Sequence, residues 1–337
     1  MADPRPTIHD VASRAGVSKS LVSLALRGSP KVSERSRSVI LAAAAELGYR
    51  PNAAARSLAD RRSHTVGVLV LDLHNPVFAQ ILDGVQSEVR AHGYSTMLVT
   101  GGADPTLEQA EVEKLLEFQV EGLIVIAHRM PARVLRALAR ECPLVVITRR
   151  DVTGAGIDTV SNDDVAGARL AVAHLVGLGH RRIVHVSGGD NRISLDRRQG
   201  YLDEMAAAGL ESQALVVEGG LTDASGYSAA VTALAISPPP TALFVANDMS
   251  ALGAIAAVQE QGLSVPDDVS VVGYDGMSLG ALRTLSLTTV AQPLSEMGAR
   301  AAQRLFARID DPSARSVQVG VDATLVRRGS TGPPRTP

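Results

Sequence analysis

From Thr65 onward, the hydrophobic residues form short continuous runs that are separated by longer amphipathic segments. The runs, such as residues 65–71 (TVGVLVL) and 143–148 (PLVVIT), are rich in β-branched residues, which is typical of strands buried on both faces of a sheet. The segments between them, such as residues 77–92 and 163–178, repeat their hydrophobic positions with the period of a helix. Strands and helices in alternation predict parallel sheets that are covered by helices on both sides.

The alternation begins a second time after Thr159, which predicts an α/β core made of two doubly wound lobes of similar build. The last residues are rich in proline and polar side chains, which favours a disordered tail. The predicted bounds are residues 64–330 for the core, about 64–160 and 291–312 for lobe 1, about 161–290 for lobe 2, 315–328 for a C-terminal strand and 331–337 for the tail.

The first 50 residues follow another pattern, that of three short helices. Thr7 and Asp10 have the spacing of a capping box, and Gly16 can end the first helix in a left-handed conformation. Ser18 can cap a second helix, and Ser33 can cap a third. The sequence therefore predicts an all-α headpiece over residues 1–50.

The second helix presents a polar face that includes a lysine. Lys19, Ser20, Ser23 and Leu24 point outward if Val22 and Ala25 pack against the first helix. A cationic helix start that faces solvent is what a helix-turn-helix domain needs to enter a DNA major groove. The short motif alone fits an ordinary helical hairpin in a core equally well.

Charge separates the two parts of the chain. Residues 1–62 contain 11 Lys and Arg against 5 Asp and Glu, whereas the remaining residues contain 22 against 30. Residues 1–62, the head, are therefore basic, and the remaining residues, the body, are acidic. This asymmetry indicates that the head binds a polyanion. Within it, residues 51–63 predict a hinge helix and linker, because Asn52 can cap a very short helix. Such a helix is marginal alone and needs a partner copy or DNA, and a plain linker is the alternative.

The carboxyl ends of the predicted strands carry acidic, amide and guanidinium side chains. Ligands of open parallel sheets bind beyond these ends, so the two lobes predict a cleft between them. Such groups suit a ligand that is rich in hydroxyl groups, since they offer both donors and acceptors. For Asp163 and Asp248 a role as helix caps is an equally good interpretation.

Several other functions find little support in the residues. There is one cysteine, Cys142, so an internal disulfide is excluded, and the histidines show no metal-ligand spacing. No P-loop, dinucleotide-binding fingerprint or nucleophile elbow is present, which argues against an α/β enzyme. We find no stretch that could span a membrane and no apolar segment before the first helix, which argues against a secreted solute-binding protein. The sequence predicts a cytoplasmic protein without cofactor or metal.

The motifs resemble those of the LacI family of bacterial transcription regulators. In the head they are TIHDVA, AGVS, LVS, ELGYRPN and ARSLA, in one register over residues 7–59. In the body, DLHNPVF, GHRRIVHVSG, VANDMSALGA and VPDDVSVVGYDG are similar to the family's core, which resembles periplasmic sugar-binding proteins. The resemblance implies a homodimeric repressor that binds a near-palindromic operator on the nucleoid. A small effector, a sugar or polyol, would control that binding.

The resemblance also implies a set of DNA-binding residues. Lys19, Ser20 and Leu24 take the base-reading positions, and Leu58 takes the position of a leucine that wedges into the central base step. Leu24 departs from the arginine or histidine that is frequent there, so a strong guanine contact is not expected from it. The full set is Thr7, Ser18, Lys19, Ser20, Ser23, Leu24, Arg27, Asn52, Ala55, Arg56 and Leu58.

The resemblance also implies a set of effector-binding residues, which take the positions where members of the family bind their effector. These residues are Asn75, Phe78, Arg149, Arg197, Leu221, Asn247, Asp275 and Gln292. Thr148 and Arg149 stand where many relatives have an Asp-Arg pair. The loss of that acid indicates either a different pattern of hydroxyl groups or an anionic group on the ligand near Arg149 and Arg150.

Overall fold

The computed structural model describes residues 6–50, 62–152, 154 and 156–335. The chain divides into two compact units, Met1–His64 and Thr65–Pro337. The hinge helix predicted within residues 51–63 falls largely outside the described residues, so it stays a prediction.

The first unit contains the three expected helices, α1 (Ile8–Ala15), α2 (Lys19–Leu26) and α3 (Glu34–Glu46). The capping box at α1 is present, since the Thr7 amide donates to the Asp10 carboxylate at 2.7 Å and the Asp10 amide donates to the Thr7 hydroxyl. Gly16 ends α1 with a φ of 67°, and Ser18 and Ser33 cap α2 and α3. Val11, Val22 and Ile40 are fully buried and form the centre of this small core.

Lobe 1 of the second unit is a six-stranded parallel sheet in the order β11-β5-β4-β3-β1-β2. Its strands are β1 (Thr65–Val70), β2 (Ser95–Thr100), β3 (Gly122–Ile126), β4 (Leu144–Ile147), β5 (Ile157–Asn162) and β11 (Gln318–Val321), and its helices are α4 (Pro76–Ala91), α5 (Pro105–Glu117), α6 (Ala132–Glu141) and α11 (Leu294–Asp310). Helices α4 and α11 approach closely at Gly84 and Gly298, where a Cβ would collide with the backbone of the other helix.

Lobe 2 repeats this plan with the strand order β12-β10-β9-β8-β6-β7. Its strands are β6 (Ile183–Val186), β7 (Leu215–Val217), β8 (Ala242–Val245), β9 (Ser270–Asp275), β10 (Thr288–Ala291) and β12 (Thr324–Val326), and its helices are α7 (Asp164–Gly177), α8 (Arg192–Ala207), α9 (Asp223–Leu234) and α10 (Asp248–Glu260). Strand β12 is antiparallel to β10, whereas the other pairs in this sheet are parallel.

The C-terminal segment differs from the prediction in two ways. The single strand predicted over residues 315–328 is divided, because β11 pairs with β5 of lobe 1 and β12 pairs with β10 of lobe 2. The predicted disordered tail is ordered through residue 335. The Gly332 carbonyl accepts from His180 at 2.8 Å, and the Gly332 amide donates to the Ser270 hydroxyl at 3.1 Å. Polar groups of lobe 2 thus pair with the backbone of the tail, which its composition could not reveal.

Candidate functional site

The exposed face of α2 carries the residues that the sequence assigns to base reading. Lys19, Ser20 and Leu24 are exposed, while Val22 and Ala25 are buried against the other two helices. Ser18 lies directly before this face and its hydroxyl accepts from the Leu21 amide, leaving the earlier amides of the helix directed at the surface. The helix start therefore presents donors and a positive end to any anion that approaches it.

The acidic residues of the headpiece do not neutralise this face. Glu46 pairs with Arg14 at 2.6 Å, and Glu34 lies 3.7 Å from Arg37. Within residues 6–50, Lys19 has no ion pair. Thr7 and Arg27, which belong to the DNA-binding set that the resemblance implies, are exposed beside α1 and α2, and Ser23 is half-buried. The remaining predicted DNA-binding residues, Asn52, Ala55, Arg56 and Leu58, lie outside the described residues.

All eight predicted effector residues line one cavity between the two lobes. Its volume is about 260 Å³, and it lies beyond the carboxyl ends of the strands of both sheets. The effector set that the sequence indicates lacks the other residues that line the cavity, which are Leu71, Val77, Ala127, His128, Arg129, Thr148, Asn191, Arg192 and Ile193. Of these, Thr148 is singled out in the sequence as the residue that replaces an acid. A signal for two of them was present, since His128 and Arg129 follow β3 in the same way as the predicted residues follow other strands.

Arg197 is the charged centre of the lobe 2 wall. It projects from α8 and is 4% exposed. Its guanidinium donates to the Asp164 carboxylate at 2.9 Å and to the Ala246 carbonyl at 2.6 Å, and it pairs with Asp275 at 3.1 Å. The guanidinium carbon lies 3.6 Å from the centre of the Tyr274 ring. Two carboxylates, one carbonyl and a ring face thus hold this cation in one orientation.

Asp275 ends β9 and faces the cavity with a left-handed backbone, at a φ of 108°. Its carboxylate accepts from the side-chain amide of Gln292 at 2.8 Å as well as from Arg197. Burial raises the pKa of Asp275, although the adjacent Arg197 opposes that shift. Asn247 both lines the cavity and caps α10, because its side-chain oxygen accepts from the Ser250 amide while its amide donates to the Leu221 carbonyl. These groups form a wall of donors and acceptors that are already oriented.

The two arginines after β4 are paired within the protein. Arg149 makes two hydrogen bonds to the Asp151 carboxylate, at 2.9 and 2.6 Å, and one to the Met130 carbonyl. Arg150 pairs with Asp163 at 3.1 Å and does not line the cavity. Because both guanidinium groups have carboxylate partners, the geometry favours a different hydroxyl pattern over an anionic group on the ligand.

Asp163 and Asp248, for which the sequence leaves open a role as helix caps or in ligand binding, have different roles in the structure. Asp163 caps α7, since its carboxylate accepts from the Ala166 amide at 3.0 Å. Asp248 follows the cap of α10 and is fully buried. Its carboxylate accepts from the Thr289 hydroxyl at 2.6 Å and the Met277 amide at 2.7 Å. Burial, followed by repulsion from Asp275, raises the pKa of Asp248 to about 7.

Asp248→Asn is expected to change how stability depends on pH. The native state retains a proton on Asp248 that the unfolded chain releases above about pH 4. The free energy of unfolding of the natural chain should therefore fall by about 1 kcal/mol per unit between about pH 4 and 7, a slope that the variant lacks. Urea unfolding at a series of pH values measures this difference. Asp163→Asn is the matched control with the opposite sign, because hydrogen bonding lowers the pKa of Asp163. Equal slopes in the natural chain and Asp248→Asn would contradict the assignment.

Three further observations concern metal binding, cysteine reactivity and membrane insertion. Across the described ranges, no group of His, Cys, Asp or Glu is placed to hold a metal ion. Cys142 is buried, and burial raises the pKa of its thiol to about 12, which is unlike a reactive cysteine. No helix in the described part of the chain is long and apolar enough to cross a bilayer.

Comparisons with known proteins agree with both units. The model of the lacI family of bacterial regulatory proteins matches residues 7–52, and a periplasmic binding protein-like domain matches residues 172–331. The HTH-type transcriptional regulator GntR of Escherichia coli K12 is 34% identical over 98% of this chain and 100% of its own length. The lac repressor dimer bound to operator and the anti-inducer ONPF is 30% identical with a TM-score of 0.86, covering 97% of this chain and 99% of that chain. The CelR–cellobiose complex is 31% identical with a TM-score of 0.72, covering 97% and 100%.

Proposed function

We propose that this chain, which belongs to the LacI family of bacterial regulatory proteins, represses transcription under the control of a neutral sugar or polyol. As a member of that family, it is a DNA-binding transcriptional regulator and works as a homodimer. The observation that carries the proposal is the cavity, in which eight predicted effector residues from both lobes meet. Its place of action would be the cytoplasm, on the nucleoid.

The proposed reading head is α2. Lys19 would donate to guanine acceptors, and Ser20 can pair with several base edges. Leu24 would contact thymine methyl groups or sugar, since its side chain has no hydrogen-bonding atom. Thr7, Ser18, Ser23 and Arg27 would contact phosphates and so set the position of the headpiece. Asn52, Ala55, Arg56 and Leu58 remain proposed minor-groove residues, with Leu58 as the wedge.

The proposed effector is small and uncharged. A cavity of about 260 Å³ lies near the lower end of the range for small-molecule sites, which begins at about 300 Å³. That size supports a monosaccharide or an alditol. Arg149 and Arg197 have carboxylate partners, so a neutral ligand would not disturb their ion pairs. Cellobiose in the CelR complex supports the same chemical class.

Effector and operator would be coupled through one equilibrium. A ligand held by Arg149 of lobe 1 and by Arg197 of lobe 2 contacts both lobes, so it favours one angle between them. If that angle sets the spacing of two headpieces in a dimer, the effector must change the affinity for the operator. The operator must then change the affinity for the effector by the same factor.

The proposal is tested by selecting duplexes from a random pool with the full chain. We expect one near-palindromic sequence to be enriched, and its affinity to change when sugars and polyols are added. Lys19→Ala should lower the affinity for that duplex about tenfold or more, because a base contact contributes about 1–3 kcal/mol. It should also relax the base preference at one position in each half-site. Leu24→Ala, the matched variant from the same face, should have a smaller effect.

Other outcomes would refute the proposal. Enrichment of no palindrome would exclude sequence-specific binding, and a Lys19→Ala variant with unchanged preference would exclude Lys19 as a base reader. The alternatives, a solute-binding protein or an α/β enzyme on a sugar-like substrate, are not favoured, since the relatives are regulators. Turnover of a bound sugar would support the alternative that the protein is an enzyme.

A further inference from the structure

The lobe 1 wall of the cavity contains two polar side chains that follow neighbouring strands. Strands β3 and β4 are parallel, with Ile126 beside Ile147, so the residues that come next lie side by side. His128 and Thr148 are among them, and both line the cavity. Neither belongs to the effector set that the sequence indicates.

The hydrogen-bonding atoms of these two side chains have no partner. His128 is 5% exposed, and neither of its ring nitrogens makes a hydrogen bond within the described residues. The Thr148 hydroxyl is likewise buried and unpaired within that part of the chain. The backbone group of Met130 that acts on the imidazole is its carbonyl, and that carbonyl accepts from Arg149 at 3.2 Å. Leaving a buried polar group unpaired costs about 1–3 kcal/mol, so this wall is costly to maintain without a ligand.

The backbone of the same wall is strained. Ala127 has a φ of 52° and Thr148 a φ of 81°, a region that residues with a Cβ rarely adopt. Each such residue costs on the order of 1–3 kcal/mol, and strain of this kind is found at ligand-binding positions. Strain and unpaired polar atoms therefore coincide at one side of the cavity.

The charge state of His128 restricts what it can bind. Burial, followed by repulsion from Arg149, lowers the pKa of His128 to about 3, so the imidazole is neutral in the folded protein. A neutral imidazole has one donor and one acceptor nitrogen. A hydroxyl group can satisfy either, whereas a carboxylate only accepts and would leave the acceptor nitrogen buried and unpaired.

We propose that His128 and Thr148 form a hydroxyl-binding subsite in lobe 1 that selects a neutral sugar or polyol over its acidic counterpart. The inference rests on the function proposed above and deepens it. A rotation of the imidazole toward the cavity delivers its nitrogens to hydroxyl groups of the effector, and the Thr148 hydroxyl binds an adjacent one. Lobe 2 then holds the opposite end of the molecule through Arg197 and Asp275.

Apolar substitutions of matched shape separate this role from a structural one. Thr148→Val keeps the β-branch, and His128→Phe keeps a planar ring. Both remove unpaired polar atoms, so thermal unfolding should occur at the same temperature or higher. Sugar affinity should nevertheless fall about fivefold in each variant, because a hydrogen bond of this kind contributes about 1 kcal/mol. Thr148→Ser and His128→Gln keep the polar atoms and should restore most of the affinity.

The measurement is isothermal titration calorimetry of the full chain with neutral pentoses, hexoses, alditols and disaccharides, and with aldonates as matched acids. We expect a neutral compound to bind most tightly. Thr96→Val, within β2 of the same sheet but outside the cavity, is the control and should bind like the natural chain.

Three results would overturn the subsite: tightest binding by an aldonate, no binding by any neutral compound, or natural affinity in both Thr148→Val and His128→Phe. A failure of the proposed function has another signature. In that case the neutral sugar binds and the variants weaken it, but its addition leaves the affinity for the selected duplex unchanged.

Discussion

Replacing Arg197 with alanine is expected to destabilise the core by about 3–5 kcal/mol and to abolish sugar binding. The substitution leaves Asp164 and Asp275, which are 8% and 6% exposed, without the cation that lies between them. Removing one partner of a buried ion pair leaves an uncompensated charge, which costs far more than the intact pair contributes. Urea unfolding followed by circular dichroism measures the change, since the chain has no tryptophan for fluorescence.

Arg198→Ala is the control for this experiment, because Arg198 is the neighbour on the same helix. Its side chain is 42% exposed and pairs with Glu218 at 3.3 Å, so its loss should change stability by less than about 1 kcal/mol. The loss in free energy of unfolding caused by Arg197→Ala should become smaller as the pH falls. Burial already raises the pKa of Asp275, and without Arg197 that pKa rises further, so protonation relieves the cost. A small deficit, or one that does not change with pH, would contradict the buried network.

Removing residues 1–64 is expected to abolish the preference for the selected palindrome while leaving sugar affinity unchanged. Specific protein–DNA binding exceeds non-specific binding by about 10³-fold or more, and the proposed base-reading residues lie in the removed unit. The remaining unit, Thr65–Pro337, is compact by itself and contains the entire cavity. Fluorescence anisotropy with the selected and a scrambled duplex measures the first effect, and calorimetry measures the second.

The full chain in the same buffer is the reference, and salt concentration must be held constant because phosphate contacts make affinity strongly salt-dependent. Retention of the palindrome preference by residues 65–337 would place DNA recognition in the lobes. Loss of sugar binding on truncation would mean that the effector site needs the headpiece.

Much of the cavity could be predicted from the sequence because of a simple geometric rule. In a parallel sheet the strand ends lie at one edge, so residues that directly follow strands must meet there. Asn247 and Gln292 follow this rule, and both line the cavity. Asn191 and Arg192, at the start of α8, were missed, because the direction from which a helix enters a cleft depends on packing between elements.

Local patterns predicted the caps of α1, α2 and α3, since a helix cap involves residues only three positions apart. The tail shows the opposite case. Residues 331–335 look disordered by composition, yet His180 and Ser270 hydrogen-bond to the backbone of Gly332. These partners lie far away in the sequence, so no local pattern can predict these hydrogen bonds.

The helical headpiece, the two-lobed α/β core and eight of the residues that line the cavity could be predicted from the sequence alone. Periodicity, capping and strand ends are local properties, and they are readable without coordinates. The three-dimensional fold was needed to see that Arg149 and Arg150 already have carboxylate partners. It was also needed to see that the polar side-chain atoms of His128 and Thr148 have no hydrogen-bond partner within the described residues. Partner choice is made between elements distant in the chain. For that reason the sequence predicts where a ligand would bind, while the packing of distant elements determines which polar groups of the cavity are left without a partner.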